Sequence, residues 1–194
     1  MLSIRRISGC TLAGCLIAAA AAFAPAQEAA PAAPAAGTAV SPSQIYGKLL
    51  SQMEKEFVGA AEAMPEDKYS FAPAEAMGEF KGVRSFGSQV AHVAEANTYF
   101  FHDPAKPMVD NRADFEKLKS KAEIVKALKD SFAMAHEYVD AITPENAFVA
   151  FGKNGSTRAG QATFGLAHMM DHYGQMVEYL RMNGIVPPAS RGGM

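Results

Sequence analysis

Residues 164–181 read FGLAHMMDHYGQMVEYLR. Turned at about 100° per residue, Leu166, Met169, Tyr173, Met176, Val177 and Leu180 share one wide apolar stripe, the pattern of a helix laid against a core. His168, His172, Gln175 and Tyr179 share a second stripe, about a quarter turn or more away. The segment therefore specifies a helix with a core face and an adjoining polar seam. Two histidines, one turn apart, lie in that seam. The helix runs over about 159–183: Gly184 stands where a left-handed cap is wanted, and Pro187 and Pro188 forbid continuation.

Upstream, three more stretches carry helical periodicity, and no run of alternating β-branched residues interrupts them. In SQIYGKLLSQMEKEFVGAAEAM, Ile45, Leu49, Met53, Phe57 and Ala60 or Ala61 recur at three- and four-residue steps, and Pro65 closes the helix. Ser85 caps a second helix whose stripe is Phe86, Val90, Val93, Asn97, Phe100 and Phe101. HDPAKPMVDNR breaks it. SKAE at 120–123 is a capping box that opens a third, with Ile124, Leu128, Phe132, Ala135, Val139 and Ile142 inward. Four amphipathic helices on a chain of this size make an all-α four-helix bundle. Its expected interior includes Leu49, Phe57, Val90, Phe100, Leu128, Phe132, Val139, Met169, Tyr173 and Leu180. The connection over 65–84 carries three aromatics, expected to lie over the bundle.

The first 42 residues read differently. MLSIRR is a short basic start, an uncharged apolar run follows, and Ala24, Pro25 and Ala26 form a small-residue cleavage site. These are the parts of a secretory signal peptide, 1–26, which predicts an exported protein, periplasmic or secreted. The minority reading takes LAGC at 12–15 as a lipoprotein box with Cys15 acylated, but much of the apolar run lies after that cysteine. Residues 27–42, rich in Ala and Pro, form a flexible linker. The bundle then occupies 43–188 and a disordered tail 189–194. Both cysteines of the chain, Cys10 and Cys15, fall within the signal segment. The mature protein therefore has no disulfide and no thiolate site. Cleavage also removes Arg5 and Arg6 but no acid, moving the net charge from −2 to −4. With no basic block, nucleic acid is not a partner, and once the signal is gone neither is the membrane. A small-molecule substrate is expected; a homodimer is left open.

Histidines at i and i+4 place their Cβ atoms about 6 Å apart on one helix face, so both imidazoles reach one ion at ~2.1 Å. A third ligand must come from elsewhere. His92 is the leading candidate, because on its helix it lies off the core stripe, near Gln89, Ala96 and Tyr99. His136, at the edge of its stripe, is the reserve; His102 sits in a breaker-rich loop. Asp171 and Glu95, each one turn from a histidine, are candidates to orient a ligand. Gln175 and Tyr179 face the seam as substrate contacts. The bland alternative for the pair is two half-exposed surface histidines. The nearby methionines are ordinary packing.

VRSFGSQVAHVAEAN, followed much later by HMMDHYGQMVEYLRMNGIVPP, resembles the DinB-like superfamily of bacterial four-helix bundles. The resemblance spans about 43–188 and is strongest at His168, His172, Gly174 and Gln175, with His92 matching the family's second-helix ligand. It implies an up-down-down-up bundle and one divalent metal on His92, His168 and His172, with zinc or nickel favoured by all-imidazole ligation. It also implies chemistry, since related families include S-transferases and isomerases that use small bacterial thiols. Export departs from that pattern, because such thiols are cytoplasmic, so metal-assisted hydrolysis stands beside thiol transfer as an expected activity. The alternatives are a non-enzymatic exported metal-binding or stress protein, and a helical interaction module without metal.

Overall fold

The computed structural model describes residues 33–191, and of these the ones from Gly37 onward form one compact unit. The segment 1–26, expected to be a signal peptide, and the first part of the expected linker lie outside the described residues. Helix α1 spans Pro42–Ala63, α2 Phe86–Phe100, α3 Arg112–Glu116, α4 Lys121–Asp140 and α5 Arg158–Met182. Among the described residues there is no strand, only an isolated bridge between Phe151 and Ser156. None of these helices is long and apolar enough to cross a membrane.

Local chemistry sets the helix ends. Ser41 and Gln44 form a capping box at α1, Ser120 and Glu123 a second at α4, and Ser85 accepts from the Ser88 N–H at α2. At the end of α5, Gly184 turns to a φ of 73°. Its N–H donates to Arg181 O, and that of Ile185 donates to Leu180 O, both at 2.9 Å. These two bonds satisfy the last carbonyls of the helix.

Cross-helix contacts fix the directions. Tyr46 donates to Ala159 O at 3.1 Å at the start of α1 and α5, while Gly59 approaches Pro188 beyond their far ends, so these two helices run parallel. Asn97 donates to Ser131 at 3.0 Å and Phe101 meets Tyr138 edge-on, so α2 and α4 are parallel. Lys121 donates to Met64 O while His136 meets Glu54, so α4 opposes α1. Gln89 meets Gln175 while Phe100 meets Phe164, so α5 opposes α2. The order is up-down-down-up, as expected.

The interior is a single cluster containing Phe57, Val90, Leu128, Phe132, Val139, Met169 and Leu180, all fully buried, with Phe100 and Tyr173 half-buried against it. The start of α1 corrects the sequence reading: Ile45 and Leu49 are 47% and 45% exposed, and Leu50 takes the core position. Repeated four-residue steps drift round a helix, leaving Ile45 about 120° from Phe57, whereas Tyr46 and Phe57 are only about 20° apart. The true face is Tyr46, Leu50, Met53 and Phe57.

Two connections also differ from expectation. The breaker-rich segment after α2 contains α3, which packs back on α2, where Thr98 and Asn111 exchange hydrogen bonds. At the other end, Pro188–Ser190 form a helical turn, and Ser190 accepts from Arg181 at 3.3 Å, so the ordered chain passes the boundary drawn at 188. In the connection over 65–84, Tyr69 is buried and donates to Ala61 O at 2.6 Å, and Phe71 meets Tyr179 edge-on.

Gly165 sets how closely α2 and α5 approach. A Cβ there would lie 2.7 Å from the Phe101 ring and 3.1 Å from Phe100 Cβ. Phe101 is fully buried and has nowhere to retreat. Gly165→Val is therefore expected to cost about 1–3 kcal/mol in urea unfolding, the clash being offset only by the few tenths of a kcal/mol, roughly, by which the helix propensity of valine exceeds that of glycine.

Candidate metal centre

The close approach of α2 and α5 brings His92 against the His168/His172 pair. The ring centroids lie 5.1 Å apart for His92 and His168, 5.0 Å for His92 and His172, and 4.5 Å within the pair. One nitrogen from each ring lies within 4.8 Å of the other two. The Nε2 atoms of His92 and His168 are 3.3 Å apart. Two nitrogens that each bind one tetrahedral ion at ~2.1 Å lie ~3.4 Å from one another, so the spacing suits shared ligation.

In His172 and His92, the partner of the outer nitrogen leaves a lone pair on the inner one. His172 Nδ1–H donates to Gln89 Oε1 at 2.6 Å. Gln89 Nε2 donates to Gln175 Oε1 at 2.7 Å, and Gln175 Nε2 to Asp171 Oδ2 at 3.2 Å. Every amide in this chain has one consistent orientation, which puts the His172 proton on Nδ1 and its lone pair on Nε2. His92 Nδ1–H donates to Glu95 Oε2 at 3.3 Å, and Arg112 on α3 lies 3.7 Å from the other carboxylate oxygen. His92 Nε2 is thereby also left with its lone pair. His168 Nδ1 is buried without a partner, beside the Phe100 ring.

Electrostatics also favour neutral ligands. The pKa of His172 falls to about 4, chiefly through burial and then through the neighbouring His168 and His92. Burial is likewise the main cause for the lowered His92 and His168; the Arg84 charge pushes all three the same way. A folded-state pKa below the unfolded value near 6.5 gives a stabilising contribution that is complete above that pH and is lost as pH falls toward 4. For metal-free protein, His172 alone is expected to lower stability by about 2 kcal/mol between pH 7.5 and pH 5, measured by urea unfolding. The same shifts mean that protons compete with a metal only well below pH 6.5, the point expected for an unperturbed imidazole.

Several expected helpers take other roles. Asp171 makes no bond to His168, the histidine one turn away; it reaches His172 instead, through two glutamine amides. Tyr179 is buried, donates to Arg84 O at 3.2 Å and packs on Phe71, so it braces the loop before α2 rather than facing a substrate. Gln175 is half-buried and held by Gln89. Glu95 accepts a hydrogen bond from His92 Nδ1 at 3.3 Å. His136 points to Glu54 on α1 at 2.8 Å, away from the centre, and His102 contacts Lys106 O at 2.8 Å in its loop. Gln89, 3% exposed, is the functional residue that sequence reasoning passed over, although it lies one turn before His92 on the same seam. The glycine of the HxxxHxGQ pattern, Gly174, meets nothing within 4 Å, and no contact explains it.

An all-helical bundle with three histidines gathered between its second and last long helices defines the class: a helical bundle with a possible three-imidazole metal site. Residues 49–176, well over half of the chain and including all three histidines, match the family model of the DinB superfamily. The chain belongs to the DinB superfamily. No curated protein matches it.

Proposed function

We propose that this protein is an exported metalloenzyme that uses His92, His168 and His172 to hold one zinc or nickel ion and catalyses hydrolysis of a small molecule. The observation that carries the reading is the open ligand set. Three imidazoles converge, and His136, the side chain most able to close a fourth position, is bound to Glu54 instead. Structural zinc normally has four protein ligands, whereas three leave a position for chemistry. A divalent ion there supplies Lewis acidity, lowering the pKa of water toward neutrality. The protein's own part is to hold the ligands neutral and oriented. Glu95 fixes His92, Gln89 fixes His172, and the close contact at Gly165 keeps α2 against α5.

Thiol transfer is the second reading, supported by family membership. The test is to measure metal per chain by mass spectrometry, then to screen ester, amide and thiol-transfer substrates with and without chelator. One ion per chain with chelator-sensitive hydrolysis is expected. A full complement of metal with no turnover on any substrate would leave a metal-binding protein without catalysis. Export is tested separately: exported material should begin near Gln27, and a lipid on Cys15 would place the protein on a membrane instead.

A further inference from the structure

An open cleft of about 600 Å³ adjoins the histidine cluster, with His92 and Glu95 in its wall. Its lining is uneven in charge. Arg84, Arg112 and Lys119 face it against two acids, Glu95 and Glu116. Glu95 is already engaged by His92 and Arg112. Arg84 is different: among the described residues its guanidinium has no acidic partner within 4 Å and makes no hydrogen bond. The chain is net acidic, yet it leaves this arginine unpaired at the mouth of a centre suited to a dication. Two positive groups placed close together repel, and an anion between them removes the cost. A guanidinium presents a rigid fork that fits a carboxylate or phosphoryl group in two-point contact. The opposite wall is apolar, with Phe115 and Leu118 half-buried on and after α3.

We propose that the cleft between α2 and α3 binds a small organic anion, with its carboxylate or phosphoryl group on Arg84 and its apolar body on Phe115 and Leu118. The site lies beside His92, so the bound molecule is the substrate or its leaving portion; this assignment rests on the enzymatic reading above. Arg84 is then a specificity-determining residue, and α3 is the element that gives the cleft its apolar wall. Nothing in the fold needs the Arg84 side chain, since it is exposed and only its backbone carbonyl is used, by Tyr179.

The test is calorimetric titration of the purified protein with benzoate, phenyl phosphate and benzyl alcohol, in wild type and in Arg84→Gln, Arg84→Lys and Phe115→Ala. Benzoate or phenyl phosphate should bind, and whichever binds more tightly identifies the headgroup. Arg84→Gln should weaken that binding by at least about tenfold, as expected for a lost charged hydrogen-bonding partner. Arg84→Lys should recover part of it, and Phe115→Ala should weaken both aromatic anions. Thermal melting and metal content of Arg84→Gln should match wild type. Equal affinity in wild type and Arg84→Gln, binding of benzyl alcohol as tight as benzoate, or no binding of either anion would overturn the proposal. Metal content is read independently. If the protein holds no metal, the metalloenzyme reading falls, and the same titration on metal-free protein still decides whether Arg84 holds an anion.

Discussion

His172→Ala is expected to abolish stoichiometric metal at neutral pH, while His136→Ala keeps it. His172 is the most buried of the three histidines at 7% exposure, and its ring is the one held most firmly, by the 2.6 Å bond to Gln89. With it gone, two imidazoles remain on separate helices. One of them, His168, has no partner on its outer nitrogen to hold its orientation. The loss should exceed the 10–100-fold typical of removing a group that merely orients a ligand. Gln89→Leu should fall in that smaller range, because it releases His172 without removing it. His136 is the control of equal chemistry, since its bond to Glu54 ties it to the far side of α4. Metal retained by His172→Ala, or lost in His136→Ala, would mean that the ligands have been misassigned.

The largest stability effect is expected from Leu128→Ala. Leu128 has no exposed surface and sits on α4, which packs against both α1 and α2. Its backbone carbonyl accepts the Ser131 hydroxyl at 2.7 Å, and Ser131 in turn accepts from Asn97, so the local backbone is tied across to α2. That tie limits how far the site can collapse on an emptied volume. Truncation should cost about 2–5 kcal/mol in urea unfolding, toward the upper end if the Asn97–Ser131 link holds the helices apart. The slope of unfolding free energy against urea should stay constant, since the cavity changes stability and not the surface exposed. A cost below ~1 kcal/mol would show that the interior is looser than the buried cluster implies.

What the sequence made legible was whatever a single helix decides for itself. The stripes of α2, α4 and α5, the capping residues Ser85 and Ser120 and the glycine cap at Gly184 all depend on neighbours within a turn or two. The His168/His172 pair was visible for the same reason. Ile45 and Leu49 misled because α1 has apolar residues on two adjacent faces at its start. Choosing between them needs the position of α5, where Tyr46 finds Ala159 O. The short helix α3 has too few residues to show a period, and it is held by its packing on α2. The link from Asp171 to His172 was illegible because it runs through Gln89 on another helix. Arg84 showed no signal at all, since its meaning comes from a cleft that only α3 completes.

The central claim is that three imidazoles from two helices converge on one ion and leave a position open. X-ray absorption at the metal edge of the zinc-loaded protein tests this most directly. The expected result is three imidazole nitrogens at about 2.0–2.1 Å with one further light ligand supplied by solvent. Loading His92→Ala should remove one of the three imidazole signals or the metal altogether. A spectrum with two imidazoles or fewer in the wild-type protein, or one unchanged by His92→Ala, would contradict the account.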